Sequence, residues 1–103
     1  MAVQTRVELA HALRAQGRAA EARALVEEAW TVADESLLDG EPAHSGAQMG
    51  MGLVLRDAGD TAAVSFYSAG LAALAARVGA THPQVGEACA RGRAAGLTHP
   101  VCG

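Results

Sequence analysis

Apolar residues recur with a helical period along most of this chain. The pattern is clearest from Arg18 to about Leu38, where apolar positions follow i, i+3, i+4 and i+7 spacing and acidic residues occupy the other faces. Glycine and proline residues divide the sequence into five such stretches, which predict helices over about 2–16, 18–38, 42–58, 61–78 and 83–95. Because no alternating pattern typical of a strand interrupts them, the sequence predicts one all-α domain over residues 1–97, followed by a tail over 98–103.

Small and polar residues mark the turns between the predicted helices. Gly17 and Gly59 each follow a helical stretch, at a position where a residue with positive φ is usually needed. Residues 39–42 have the composition of a turn, and Pro42 suits the first position of the third helix. Asp60 is a good N-cap for the fourth helix. The predicted helices are therefore joined by short turns.

The third predicted helix is unusually rich in glycine. Gly46, Gly50 and Gly52 lie inside it, and each costs about 1 kcal/mol of helix stability relative to alanine at an exposed interior site. Packing against other helices must therefore hold this helix together. Trp30 lies on the apolar stripe of the second helix, and we expect it to be buried between that helix and its neighbours.

The chain contains an internal repeat. An offset of 42 residues brings Leu13, Arg14 and Gly17 into register with Leu55, Arg56 and Gly59. After the turn the offset is 41, and it pairs Ala22 with Ala63, Trp30 with Leu71 and Pro42 with Pro83. A helix-turn-helix unit of this length, with small residues where the helices cross, is typical of an α-solenoid. Coincidence in an alanine-rich sequence is the alternative, but shared glycine and proline positions do not arise from alanine content.

The units share an opening dipeptide, a pair on the first helix, a glycine at the turn and an alanine on the second helix. These are Glu41-Pro42 and His82-Pro83, Leu9-Ala10 and Met51-Gly52, Gly17 and Gly59, and Ala22 and Ala63, with Gly79 before the second opening. From Leu9 to about Arg93 the chain thereby resembles tetratricopeptide repeats (TPR) of the kinesin-light-chain type, which are longer than the usual 34 residues. Such repeats often place asparagines on the first helix, and here the corresponding positions are Val7-Glu8, Met49-Gly50 and Ala90-Arg91.

This resemblance implies a right-handed α-solenoid of antiparallel helix pairs, with about two and a half repeats. It also implies a non-catalytic module that binds a peptide or helix of a partner protein. In such arrays the first helices of successive units line the concave face, and the positions expected there are Glu8, His11, Ala12, Met49, Leu53 and Arg56.

The alternative is a structural or self-associating fragment of a larger TPR-containing regulatory protein, which would pair through its C-terminal helix. About three repeats are usually needed for stability, and the fifth helix has a weakly polar surface, so another helix is expected to cover it. The residues expected on this face, in a homodimer or against a partner, are Val85, Ala90 and Arg91.

Composition and charge exclude several other classes of protein. No run of 18 apolar residues is present, so no membrane span is predicted. The net charge is −3 and aromatic residues make up 3% of the chain, which leaves neither a basic stripe nor stacking side chains for nucleic acid. The N-terminal sequence lacks a signal-peptide pattern, and we expect a cytoplasmic protein. Lysine, asparagine and isoleucine are absent, which we interpret as the codon bias of a high-GC bacterial genome.

Side chains with useful chemistry are few and scattered. The histidines have no spacing that places two metal ligands on one helix face, and they are His11, His44, His82 and His99. His82 precedes Pro83 and is expected to cap the fifth helix. His99 and Cys102 offer two zinc ligands, whereas a closed site needs four. No metal, cofactor or catalytic site is therefore predicted, and Cys89 and Cys102 are expected as reduced thiols.

Overall fold

The structure, a computed structural model, describes residues 2–36 and 41–103, and these form five α-helices and one 3₁₀ turn, without any strand. The elements are Val3–Ala15 (α1), Ala19–Ser36 (α2), Pro42–Asp57 (α3), Ala63–Val78 (α4), Pro83–Ala94 (α5) and the 3₁₀ turn Pro100–Cys102. The predicted all-α class is confirmed. Helix ends lie within two residues of their predicted positions, except that the predicted end of the second helix and the turn at 39–40 fall outside the described residues.

The helices pack in consecutive pairs. α1 packs on α2 and α3 packs on α4, while α3 also contacts both helices of the first pair and α5 packs on α4. α3 therefore lies at the centre of the fold, and the run from Met49 to Leu55 is buried throughout. This arrangement brings α1, α3 and α5 to one side of the molecule, where they share a groove.

The turns after α1 and α3 have the same backbone geometry. Gly17 and Gly59 have φ of 77° and 72°, so the expectation of positive φ at both glycines is confirmed. In each turn the amide that follows the glycine donates a hydrogen bond to the carbonyl four residues before the glycine: Arg18 to Leu13 and Asp60 to Leu55, both at 2.9 Å. A third turn of this kind follows α5, where Gly96 has φ of 78° and the Leu97 amide donates to the Gly92 carbonyl at 2.8 Å.

Histidine side chains cap the last two elements. The His82 Nδ1 atom accepts a hydrogen bond from the Gln84 amide at 3.1 Å, which confirms its predicted capping role. His99 does the same for the 3₁₀ turn, because its Nδ1 atom accepts from the Val101 amide at 3.1 Å. The prediction that Asp60 caps the fourth helix is wrong. Asp60 accepts from the Ala62 amide at 2.9 Å in a turn of its own, and α4 begins two residues later than predicted, with Ala62 as its N-cap.

α3 and α4 cross at two glycines. A β-carbon on Gly52 of α3 would lie 2.8 Å from the Tyr67 amide nitrogen, and one on Gly70 of α4 would lie 3.1 Å from the Met49 amide nitrogen. Neither contact leaves room for a side chain, so the two backbones approach closely. The glycines that weaken α3 as an isolated helix thus allow the packing that holds it in place.

The aromatic residue Trp30 is only partly buried, so its expected burial is correct in part. Its ring packs in a T-shaped arrangement against His44 and Phe66, with centroid distances of 5.1 and 5.7 Å. The fully buried large side chains lie elsewhere, and Tyr67, Leu71 and Val26 are each at most 1% exposed. The core therefore lies on both sides of α3, where this helix packs against α2 and α4.

Cys89 and Cys102 form a disulfide bond, so the expectation of reduced thiols is wrong. Their Cα atoms are 5.6 Å apart. The physical reason is the turn at Gly96, which reverses the chain after α5 and carries the tail back over that helix. Leu97 is buried in the same cluster as Cys89, and Val101 packs against that cluster. The tail therefore folds back over α5, and the disulfide holds it there.

Candidate functional site: a groove between α1, α3 and α5

A groove of about 320 Å³ lies between α1, α3 and α5, with α3 as its floor and the other two helices as its walls. Its lining residues follow a helical spacing on each element, which is why each helix presents one face to it. α1 contributes Gln4, Val7, Glu8 and His11, and α3 contributes Pro42, Ala43, Gly46, Met49, Gly50 and Leu53. α5 contributes Gln84, Glu87, Ala88 and Arg91, and α4 reaches the bottom with Tyr67 and Leu74.

The bottom of the groove is apolar and tightly packed. Met49, Leu53 and Tyr67 are 8%, 2% and 1% exposed, so they belong to the core and show the groove only one edge. The Tyr67 hydroxyl donates to the Ala88 carbonyl oxygen at 3.0 Å, which satisfies its polar atom. Burial raises the pKa of Tyr67 above its usual value. Tyr67 therefore presents an apolar ring.

Gly46 opens the groove along its floor. A β-carbon at this position would meet no atom within 4 Å, although the residue lies in the interior of α3. The space that a side chain would fill is part of the groove. A larger residue at position 46 would therefore occupy the groove without displacing the core.

Charged residues line the two rims. The Arg91 guanidinium on α5 and the Glu8 carboxylate on α1 meet at 3.8 Å, and their side chains are 39% and 68% exposed. Such an exposed ion pair contributes at most about 1 kcal/mol to the free energy of unfolding, so it holds the two rims together only weakly. Glu87 also faces the groove, and no arginine within residues 2–36 and 41–103 forms an ion pair with it.

His11 is the titratable residue most affected by this environment. Burial, followed by the nearby charges of Arg91 and Arg14, lowers the pKa of His11 to about 4. The imidazole is therefore neutral at pH 7. Its Nδ1 atom is buried and has no hydrogen-bond partner among the described residues. His11 thus forms a neutral part of the α1 wall.

A second depression lies beside the groove and shares His11 and Arg91 with it, and Arg14 lines this depression as well. Two polar contacts fix the helices around it. Arg14 binds Asp57 through two hydrogen bonds of 2.6 and 3.0 Å, which joins the end of α1 to the end of α3. Arg56 donates from Nε to the Ala95 carbonyl oxygen at 3.1 Å, which joins α3 to the end of α5. Both arginines therefore hold the walls of the groove in position.

The structure brings four of the six expected partner-binding residues together in the groove: Glu8, His11, Met49 and Leu53. Ala12 is exposed but lies outside the groove, and Arg56 is engaged with Ala95. The expected pairing face on α5 requires a correction. Val85 is 1% exposed because α4 and the tail cover it, so it is a core residue of the single chain. Ala90 is exposed, and Arg91 faces the groove.

Sequence reasoning missed Gln4, Gly46, Gln84, Glu87 and Tyr67 as groove residues. The internal repeat contained the signal for several of them. Its offsets of 42 and 41 relate Gln4 to Gly46 and Glu87, and the same offsets relate Glu8 to Gly50 and Arg91. All six of these residues line the groove. Tyr67 had no such signal, because it reaches the groove from α4, a second helix of the repeat.

Comparison of the chain with models of protein families, with curated proteins and with solved structures found no match. Within residues 2–36 and 41–103, every helix is too short or too polar to span a bilayer. The same residues contain no group of three or more histidine, cysteine, aspartate or glutamate side chains arranged to hold a metal ion.

Proposed function

We propose that this chain is a helical-repeat module that binds a peptide segment of a partner protein in the groove between α1, α3 and α5. The observation that supports the proposal is that groove residues come from equivalent positions of the internal repeat. Three successive first helices contribute residues from equivalent positions, namely Gln4, Gly46 and Glu87, and Glu8, Gly50 and Arg91. A surface built in this way is the usual binding surface of repeat proteins.

The repeat itself is part of the proposal. We interpret the chain as a right-handed array of about two and a half units related to tetratricopeptide repeats. The matching backbone turns at Gly17, Gly59 and Gly96 support this interpretation, as do the histidine caps before Pro83 and Pro100. The close crossing of α3 and α4 at Gly52 and Gly70 is the packing expected where small residues lie between paired helices.

Binding in the groove is favoured over self-association through α5. The tail, which the disulfide links to α5, already covers part of that helix, and Val85 lies inside the core. The groove, by contrast, combines an apolar floor with polar rims, which is the composition of most ligand sites. A module of this kind needs only its surface and a segment of the partner, and no catalytic step.

The disulfide also bears on where the module works. Disulfides persist in oxidising compartments and are rare in the reducing cytoplasm. The bond between Cys89 and Cys102 supports an oxidising compartment as a proposal, in contrast to the cytoplasmic location expected from the sequence. Thiol labelling of the protein immediately after cell lysis tests this, since two labelled cysteines would place it in a reducing environment.

The function is tested by selection of a displayed random peptide library against the whole chain. Gly46→Leu fills the groove, and Gly86→Leu is its matched control because a β-carbon at either glycine meets nothing within 4 Å. Met49 is less suitable for this test, since a charge at a residue 8% exposed would disturb the core. We expect enriched peptides that bind the parent and Gly86→Leu but lose binding to Gly46→Leu. Peptides that bind all three proteins equally would contradict the proposed site.

A further inference from the structure

We infer that the segment bound in the groove is short and extended, and that it carries one large apolar residue with a basic residue beside it. This inference rests on the proposed function and adds the chemistry of the partner. Three features carry it: the size of the groove, the residues at its bottom and the charge on its rims.

The size of the groove favours an extended segment over a helix. From Pro42 to Leu53, α3 runs about 16 Å along the floor at 1.5 Å per residue. A helix along this floor would be about 10 Å wide, so α1 and α5 would have to stay about that far apart along its whole length. An extended chain spans the same distance with about five residues.

The rims strengthen this conclusion. Glu8 and Arg91 meet across the groove at 3.8 Å, so a helix lying along the floor would have to separate them. Gln4 and Gln84, in the first turns of α1 and α5, also line the groove. Glutamine side chains both donate and accept hydrogen bonds, as the backbone of an extended peptide requires. Gln4 and Gln84 can therefore form hydrogen bonds to the backbone of the bound segment.

The bottom of the groove takes an apolar anchor. Met49 and Leu53 from α3 and Leu74 from α4 surround it with methyl and thioether groups, and the Tyr67 ring completes the surface. The Tyr67 hydroxyl already donates a hydrogen bond to the Ala88 carbonyl oxygen, so it does not need a polar partner from the bound segment. A leucine-sized side chain that enters this space transfers its surface from water to an apolar surrounding.

The charge on the rims selects a basic neighbour for that anchor. The groove is lined by two carboxylates and one guanidinium, and the guanidinium of Arg91 is already near Glu8. Glu87 remains without an arginine partner among the described residues. His11 is neutral at pH 7 and adds no positive charge. A lysine or arginine beside the anchor therefore finds a complementary carboxylate, whereas an acidic residue meets a net negative rim.

Three fluorescent, end-capped pentapeptides test the inference with the whole chain by fluorescence anisotropy. The first has a central leucine between two arginines, the second replaces both arginines with glutamates, and the third replaces the leucine with alanine. We expect the first to bind at least about tenfold more tightly than either of the others, which corresponds to 1.4 kcal/mol. Gly46→Leu should abolish its binding, whereas Gly86→Leu should leave it unchanged.

Two charge variants complete the test. Glu87→Gln should weaken binding of the arginine peptide about two- to fivefold, as expected for an exposed ion pair, and should not weaken the glutamate peptide. Glu35→Gln removes the same charge from an exposed position on α2 and should change neither affinity.

The outcomes separate this inference from the proposed function. Equal or tighter binding of the glutamate peptide, still sensitive to Gly46→Leu, would overturn the basic partner and leave the groove as a binding site. Equal binding of the leucine and alanine peptides would overturn the apolar anchor. If none of the three peptides binds, the inferred segment is wrong, and selection from the displayed library decides the function independently.

Discussion

The Tyr67 ring fills the space that a side chain at position 92 would need, and it fits there because residue 92 is glycine. A β-carbon on Gly92 of α5 would overlap the hydroxyl end of the Tyr67 ring, which extends from α4. The same hydroxyl donates to the Ala88 carbonyl oxygen at 3.0 Å, one helical turn before Gly92. This contact joins α5 to the core and fixes the bottom of the groove.

Gly92→Ala is therefore expected to destabilise the fold. The new methyl group would displace a ring that is 1% exposed and break its hydrogen bond, at a cost of about 2 to 3 kcal/mol in the free energy of unfolding. Urea denaturation measures this. Gly86→Ala is the matched control on the same helix, where open space surrounds the new carbon and a gain of up to about 1 kcal/mol is expected. Equal stability of the two variants would contradict this account of the contact.

The left-handed turns give a second prediction. Gly17→Val and Gly59→Val place a β-branched residue at φ of 77° and 72°, and each should lower the free energy of unfolding by about 2 kcal/mol. Asparagine tolerates this conformation better, so Gly59→Asn should cost clearly less than Gly59→Val. Thermal unfolding of the three variants compares them. Midpoints of both valine variants equal to that of the parent would show that these turns do not require glycine.

These turns show what could be predicted from the sequence. A glycine that follows an apolar helical stretch has a local cause, since it supplies the positive φ that ends a helix, and Gly17 and Gly59 were recognised on that basis. The His82 cap is equally local, because the accepting Nδ1 atom and the donating Gln84 amide are two residues apart. The all-α class follows from periodicity alone.

Features that depend on distant contacts were beyond sequence reasoning. The bond between Cys89 and Cys102 requires the reversal at Gly96, and nothing in the sequence near Cys89 indicates that the tail returns to it. The local pattern around Val85 predicts an exposed face, because it does not show that the tail covers this residue. Tyr67 reaches the groove from α4 through space that Gly92 leaves open, and such complementarity appears only once two helices are packed.

The disulfide gives a third prediction. It closes a loop between cysteines 13 residues apart, and a loop of this size is expected to stabilise the fold by about 3 kcal/mol. Urea denaturation with and without a reductant measures the difference. The double variant Cys89→Ser, Cys102→Ser should be as unstable as the reduced parent and should not respond to the reductant. Titration of two free thiols in the unreduced, denatured protein would show that the bond is absent.

His11 gives a prediction for pH. Its pKa is about 4 in the fold, below the 6.5 of an unperturbed histidine, so the unfolded chain takes up the proton first as pH falls. The stability that depends on neutral His11 is complete above pH 6.5 and is lost between pH 6.5 and 4, by about 3 kcal/mol in total.

Comparison with His11→Gln isolates this contribution, because all other titratable groups are the same in both proteins. The difference in the free energy of unfolding between parent and variant should change with pH below 6.5 and stay constant above it. A difference that is constant from pH 4 to 8 would show that His11 is protonated equally in the folded and unfolded chains.

The closed loop between Cys89 and Cys102 makes the two ends of the fold mechanically unequal. If the chain is stretched from both ends, the residues inside the loop cannot extend, which withholds about 40 Å of contour length. α1 is held to α3 by non-covalent contacts such as the Arg14–Asp57 pair. The disulfide joins α5 only to its own tail, so under tension the α5 wall would leave the groove with that loop still closed, whereas α1 could unravel completely.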